Sequence, residues 1–178
     1  MSSHVALLRG INVGGTKKIA MSALLGLLGE LGFDDGKSLL QSGNLVFRAA
    51  GKKAAELERL LETEALKRLG LETDFMVRTG EEWAKIITSN PFSEEAKTDP
   101  SHLVVVFFKE APSKAAGEAL RKAITGPELI RFDGRQAYVT YPDGIGRSRL
   151  TNTVIEKKLE TRGTARNWNT VVKIGALL

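Results

Sequence analysis

Ser38-Leu-Leu-Gln-Ser-Gly-Asn-Leu-Val-Phe-Arg48 is the stretch whose reading decides the fold. Residues 38–41 and 45–48 flank Ser42-Gly43-Asn44, and Gly and Asn tolerate the positive φ of a tight reversal, so the stretch predicts a β-hairpin with a three-residue loop. Upstream, Leu24, Leu27, Leu28 and Leu31 fall at i, i+3, i+4 and i+7. That spacing predicts a helix of about three turns, with Ser22 as its N-cap and Gly32 as its stop. Further upstream, the apolar run 5–8 predicts a buried strand that enters the loop Gly10-Ile-Asn-Val-Gly-Gly15. Downstream, Leu57, Leu60, Leu61 and Leu66 mark a long charged amphipathic helix through about Leu69. Residues 73–78, with Phe75 and Val77 on one face, supply a fourth strand. Strand, helix, strand, strand, helix, strand is the order of a ferredoxin-like split βαβ unit.

The rest of the chain repeats this pattern in part. Residues 81–89 predict a connecting helix carrying Trp83, Ile86 and Ile87, ended by Asn90-Pro91-Phe92, because proline disfavours helix at the residue before it. The polar stretch 93–101 then predicts a linker. After His102 come a strand at 103–108 that is apolar on both faces, a helix at 115–124, a strand at 129–132, the turn Asp133-Gly134 and a strand at 137–141. Helix is expected from about 148 to 160 and again from about 167 onward. The expected fold is α+β, with two similar ferredoxin-like halves built on antiparallel sheets and a C-terminal helical segment. Its divisions are residues 1–80, a connecting helix and linker at 81–101, and 102–178.

Composition bounds the function. The 178 residues include 42% apolar types, enough for a real core, which excludes disorder. There is no cysteine, so thiolate nucleophiles, iron–sulfur clusters and Cys-based zinc sites are excluded, and a reducing cytoplasmic setting is expected. No apolar run approaches the roughly 18 residues of a membrane span, and no basic region precedes an apolar core near Met1, so a soluble protein without a membrane partner is expected. The formal charge is +5, and residues 145–178 carry seven basic against two acidic residues. The remainder of the chain therefore sums to zero. Such an excess attracts phosphate or carboxylate through its long-range field, although a solvated basic helix has the same composition.

Three segments concentrate candidate site residues. Gly14, Gly15 and Lys17 follow a strand and precede a helix, where backbone amides cradle anions, and Arg9 adds a guanidinium suited to an oxyanion. The segment is no Walker motif, because Thr16 precedes the lysines instead of following one. Ser42 and Asn44 either shape the hairpin or face a ligand. Arg166, Asn167 and Thr170 surround Trp168, and two readings stay open: Asn167 caps the last helix while Trp168 packs in the core, or these polar groups face a ligand. His4 and His102 are the only histidines, so no metal site is expected and a serine triad lacks a marked base. An RNA-recognition signature is absent, since Phe47 alone stands on the hairpin strand.

Together, Leu7-Leu-Arg-Gly-Ile-Asn-Val-Gly-Gly15, Gln41-Ser-Gly-Asn44 with Phe47, Asn90-Pro-Phe92, and Arg166-Asn-Trp168 with Thr170 and Lys173 resemble the bacterial family catalogued as domain of unknown function 1697. The resemblance runs from about residue 5 to residue 174. It implies a two-part α+β fold of ferredoxin-like character and supplies no activity, cofactor or catalytic residue. Arg9, Asn12, Gly14, Gly15, Ser42, Asn44, Arg166, Asn167 and Thr170 are named by it as motif positions only. The leading functional expectation is a small anionic ligand, bearing phosphate or carboxylate, held in a cleft between the glycine-rich first loop and the basic C-terminal segment. Nucleic-acid binding through the basic face and a protein-interaction role are the alternatives. Catalysis and oligomeric state stay open.

Overall fold

Hydrophobic residues at every position of Leu103–Phe108, and from Val5 through Leu8 of the first strand after a buried His4, leave no exposed polar face on either stretch. Antiparallel strands with one wet face alternate, so these two must each lie at the centre of a sheet buried on both sides. A computed structural model, which describes residues 1–178, places both there. The fold is mixed α/β, with two four-stranded antiparallel sheets and seven helices. Residues Met1–Thr88 with Lys173–Leu178 form one unit, and Ser89–Val172 form the second.

In the first unit, β1 (Ser2–Leu8), α1 (Met21–Glu30), β2 (Asp34–Leu39), β3 (Asn44–Ala49), α2 (Ala54–Leu69), β4 (Phe75–Thr79) and α3 (Gly80–Thr88) follow in order. The sheet runs β2-β3-β1-β4, with Val5 opposite both Val46 and Arg78. One face places Ala6, Leu8, Phe47, Phe75 and Val77 against Leu24 and Leu28 of α1 and Leu57 and Leu61 of α2. At the edge, Glu58 and Glu62 stand one turn apart on α2 and accept the N–H groups of Val77 (2.9 Å) and Phe75 (3.0 Å). Strand β4 thus has edge amides bonded within its own chain, which blunts the template that an open edge offers to other strands.

The second unit contains α4 (Ser93–Thr98), β5 (Leu103–Phe108), α5 (Lys114–Ala123), β6 (Leu129–Asp133), β7 (Gln136–Thr140), α6 (Asn152–Leu159), β8 (Gly163–Asn167) and most of α7 (Trp168–Gly175). Its sheet runs β6-β7-β5-β8, and Val104, Val106, Phe108, Ile130 and Val139 pack against Leu120, Ile155 and Leu159. Here Glu156 of α6 accepts the N–H of Gly163 at the edge strand (3.3 Å), as the α2 glutamates do for β4. The chain then returns to the first unit, where a Cβ on Gly175 would lie 2.7 Å from Ile87 Cδ1 on α3.

Several sequence expectations need correction. Strand β8 is additional: Gly163-Thr-Ala-Arg-Asn has no apolar alternation, and its pairing with β5 makes it a strand. The segment expected as a linker folds into α4 and a 3-10 turn at Pro100–His102, so its polarity reflects exposure, not disorder. Ser22 lies inside α1, whose N-cap is Ala20. The hairpin reversal has four residues, 40–43, because Leu39 pairs with Asn44. Helix α6 starts at Asn152, since Thr151 accepts the Val154 N–H as its cap.

Burial also sets a pH response. The His4 ring is buried, stacked on Phe47 at 5.7 Å, and its Nδ1–H donates to the Ser2 carbonyl (3.0 Å). Burial holds its pKa below the ordinary 6.5, against smaller upward pulls from that hydrogen bond and from Glu82. The unfolded chain therefore binds a proton that the folded ring resists, and stability present above the unfolded pKa is lost as pH falls below it. Urea titrations at pH 7 and pH 5 are expected to show a larger loss for the native protein than for His4→Gln. Equal losses would remove His4 from the response.

Candidate functional site

Loop 10–20 of the first unit is organised by one carboxamide. Asn12 adopts φ 54°, a left-handed conformation that Asn tolerates better than most residues. From there its Nδ2–H donates to the carbonyls of Ile19 (3.0 Å) and Gln41 (2.8 Å), while its Oδ1 accepts the Ile19 N–H (2.8 Å). The glycine-rich loop and the hairpin reversal are thereby tied together. Asn44 is buried and donates to the Leu39 carbonyl (2.7 Å) and to Ser42 Oγ (3.0 Å), and the Gly43 carbonyl accepts the Leu8 N–H (3.0 Å). Arg9 anchors the loop through its backbone, giving its N–H to Asp74 and accepting the Thr73 hydroxyl. Gly14 and Gly15, at φ 57° and 78°, turn an exposed tip closed by the Thr16 N–H on Val13, and Lys17 stands in solvent. The sequence motifs at 10–15 and 41–44 therefore meet, joined by the Asn12 carboxamide on the Gln41 carbonyl.

The candidates of the second unit are placed differently. Arg166 lies on β8 opposite Val105, buried, with Nη1–H donating to Thr164 Oγ1 (2.7 Å) and the Ala165 carbonyl (2.9 Å). Burial pushes its pKa down to about 10, so it remains a cation at neutral pH. Asn167 Oδ1 accepts the Thr170 N–H (3.0 Å), the bond that caps α7, and Thr170 is buried.

A cleft of about 620 Å³ lies in the same unit, between the end of α5, the 125–128 segment, the 143–150 loop and α6. Its cations are Arg147, Arg149 and Lys158, its carboxylates Glu128 and Asp143, and its apolar wall comes from Leu120, Ile124, Leu150 and Val154. Internal bonds shape it. The buried Tyr141 hydroxyl donates to the Leu150 carbonyl (2.8 Å), and Ser148 Oγ both donates to Glu128 (2.6 Å) and accepts the Leu150 N–H (3.0 Å). Burial raises the Tyr141 pKa, so the phenol stays protonated as that bond requires. By contrast, a cleft of about 530 Å³ on the far side of α6 sets Lys109, Lys157 and Arg162 among Glu110, Glu156 and Glu160, a balance that selects no sign of charge. No group of three or more His, Asp or Glu side chains is arranged to hold a metal ion.

A family model described as "Protein of unknown function (DUF1697)" matches residues 1–138. The chain belongs to this family. The DUF1697 match spans the glycine-rich loop, the hairpin and Asn90-Pro-Phe92, and stops before Arg166-Asn-Trp168. Among solved structures, the chain is similar to the conserved bacterial protein SP0830 from Streptococcus pneumoniae, at 22% identity, over 99% of this chain and 98% of that one, with a TM-score of 0.77. That likeness shows a shared fold. No curated protein matches the DUF1697 chain, and none of its helices is long and apolar enough to cross a membrane.

Two features of the DUF1697 chain escaped motif reading. The cleft walls come from positions scattered between 120 and 158, so only the charge excess over 145–178 pointed toward Arg147, Arg149 and Lys158. Tyr141 and Ser148, which shape the cleft, carried no signal of that role, because hydroxyl groups declare it only through their bonds.

Proposed function

We propose that the protein binds a small organic ligand through a phosphate or carboxylate group, and that the cleft carrying Arg147, Arg149 and Lys158 is where it binds. The observation that supports this most directly is the convergence of three cations from the basic C-terminal segment on one concave surface of ligand size. Two guanidiniums suit bidentate contact with an oxyanion, and Lys158 adds a point charge from α6. The proposed mechanism is electrostatic capture, with no nucleophile or general base assigned. Loop 10–20 is read as structural here, since the carboxamides of Asn12 and Asn44 already bond within the loops.

The strand orders, each with the third strand of its unit between the first and second, support reading each unit as a ferredoxin-like split βαβ fold. A cysteine-free chain of a bacterial type also suits the cytoplasm, where we place it.

Thermal-shift measurements against sugar phosphates, nucleotides and carboxylates test the reading. A ligand at about 100 times its Kd adds roughly 2.7 kcal/mol to the folded state. The expected result is a selective shift that Arg149→Ala and Arg147→Ala abolish and that added salt weakens. A shift lost in Arg9→Ala and retained in Arg149→Ala would move the ligand to the glycine-rich loop and overturn the assignment. Binding confined to long oligonucleotides would replace it with nucleic-acid recognition.

A further inference from the structure

We infer that the ligand of this cleft is an amphiphilic monoanion: an organic carboxylate with an apolar body, in preference to a polar phosphate ester. The inference rests on the reading of the cleft as an anion site and adds the ligand's class. Its first support is the apolar part of the cleft's lining. Ile124 and Val154 present apolar surface there, backed by Leu120 and Leu150, which are buried. A sugar phosphate would leave that surface without a partner and would forfeit the burial energy it offers.

Exposure is the second support. Val154 lines the cleft and is 37% exposed. That apolar surface is left in water where an apolar ligand body would cover it. On α6, Val154 and Lys158 are four residues apart and share a face, so an apolar contact and a charge contact lie one helical turn from each other.

Charge balance is the third. Three cations face two carboxylates, a net of one positive charge, which complements a monoanion and opposes a second negative charge. Glu128 is held in place by Ser148, so one of those carboxylates is a fixed part of the wall.

The experiment is a calorimetric titration of the full chain with acetate, butanoate, hexanoate and octanoate, and with inorganic phosphate and octyl phosphate. Each methylene that enters the apolar wall is expected to tighten binding about threefold to fourfold. Octanoate should then bind far better than acetate, and better than octyl phosphate in its dianionic form above pH 7. Val154→Asp is expected to flatten the chain-length dependence, whereas Arg149→Ala weakens every member alike. Val154 is partly exposed, so the variant should fold, and Val154→Thr serves if circular dichroism shows that it does not. Equal affinity along the series, with phosphate or acetate still dependent on Arg149, would overturn the amphiphile and leave the anion site standing. Failure of every probe would overturn both.

Discussion

Gly43→Ala is expected to destabilise the first unit by about 2 to 5 kcal/mol, the sum of two independent costs. Gly43 sits at φ +85°, where an L side chain crowds its own backbone at a cost of about 1 to 2 kcal/mol. Its added methyl would also lie 2.7 Å from Ile11 Cδ1 and 2.9 Å from Leu8 Cβ, both on buried residues. Relieving that overlap costs about 1 to 3 kcal/mol more. Measurement is direct, because each unit holds one tryptophan: Trp83 in the first and Trp168 in the second. In a Trp168→Phe background, the fluorescence of the fully buried Trp83 reports urea unfolding of the first unit alone. A transition that coincides with the parent's would show that the reversal relaxes freely, contrary to the tight packing described.

Glu58→Ala is the second large effect, at about 3 to 5 kcal/mol. Glu58 is buried on α2, accepts the Val77 N–H (2.9 Å) and lies 4.0 Å from the Arg78 guanidinium, itself 2% exposed. Alanine removes the carboxylate that balances a desolvated cation and the acceptor for an edge-strand amide in one step. Glu58→Gln keeps an acceptor oxygen and should cost clearly less. The same Trp83 signal reads both variants. If alanine and glutamine destabilise equally, the acceptor bond contributes nothing and the charge alone matters.

How much of this was legible in the sequence depended on where each residue's role is decided. Strand β5 was read at its observed bounds, since its apolar run needs no partner to be recognised. The spacing of Leu24, Leu27 and Leu28 on α1 and of Leu57 and Leu61 on α2 declared buried faces in the same way, whereas Leu66 is exposed and Glu58 and Ala65 are buried instead. Strand β8 was illegible because Gly163, Thr164 and Ala165 become a strand only through pairing with Phe108, Phe107 and Val106. Gly163 is there for clearance: a Cβ would lie 3.2 Å from the Phe107 carbonyl oxygen. In the candidate sites, sequence singled out Asn12, Ser42 and Asn44 as unusual polar residues but not their bond partners. The cleft had no local motif, because its charges and its apolar wall are brought together by the fold from α5, a loop and α6.

The return of Lys173–Leu178 to the first unit bears on the order of folding. Residues 89–172 are one uninterrupted stretch and can fold without any segment of the first unit. The first unit begins earlier and ends later, waiting with Trp83 and Ile87 of α3 uncapped until Gly175 arrives. A chain caught between the two events holds a folded second unit and a first unit still open at α3.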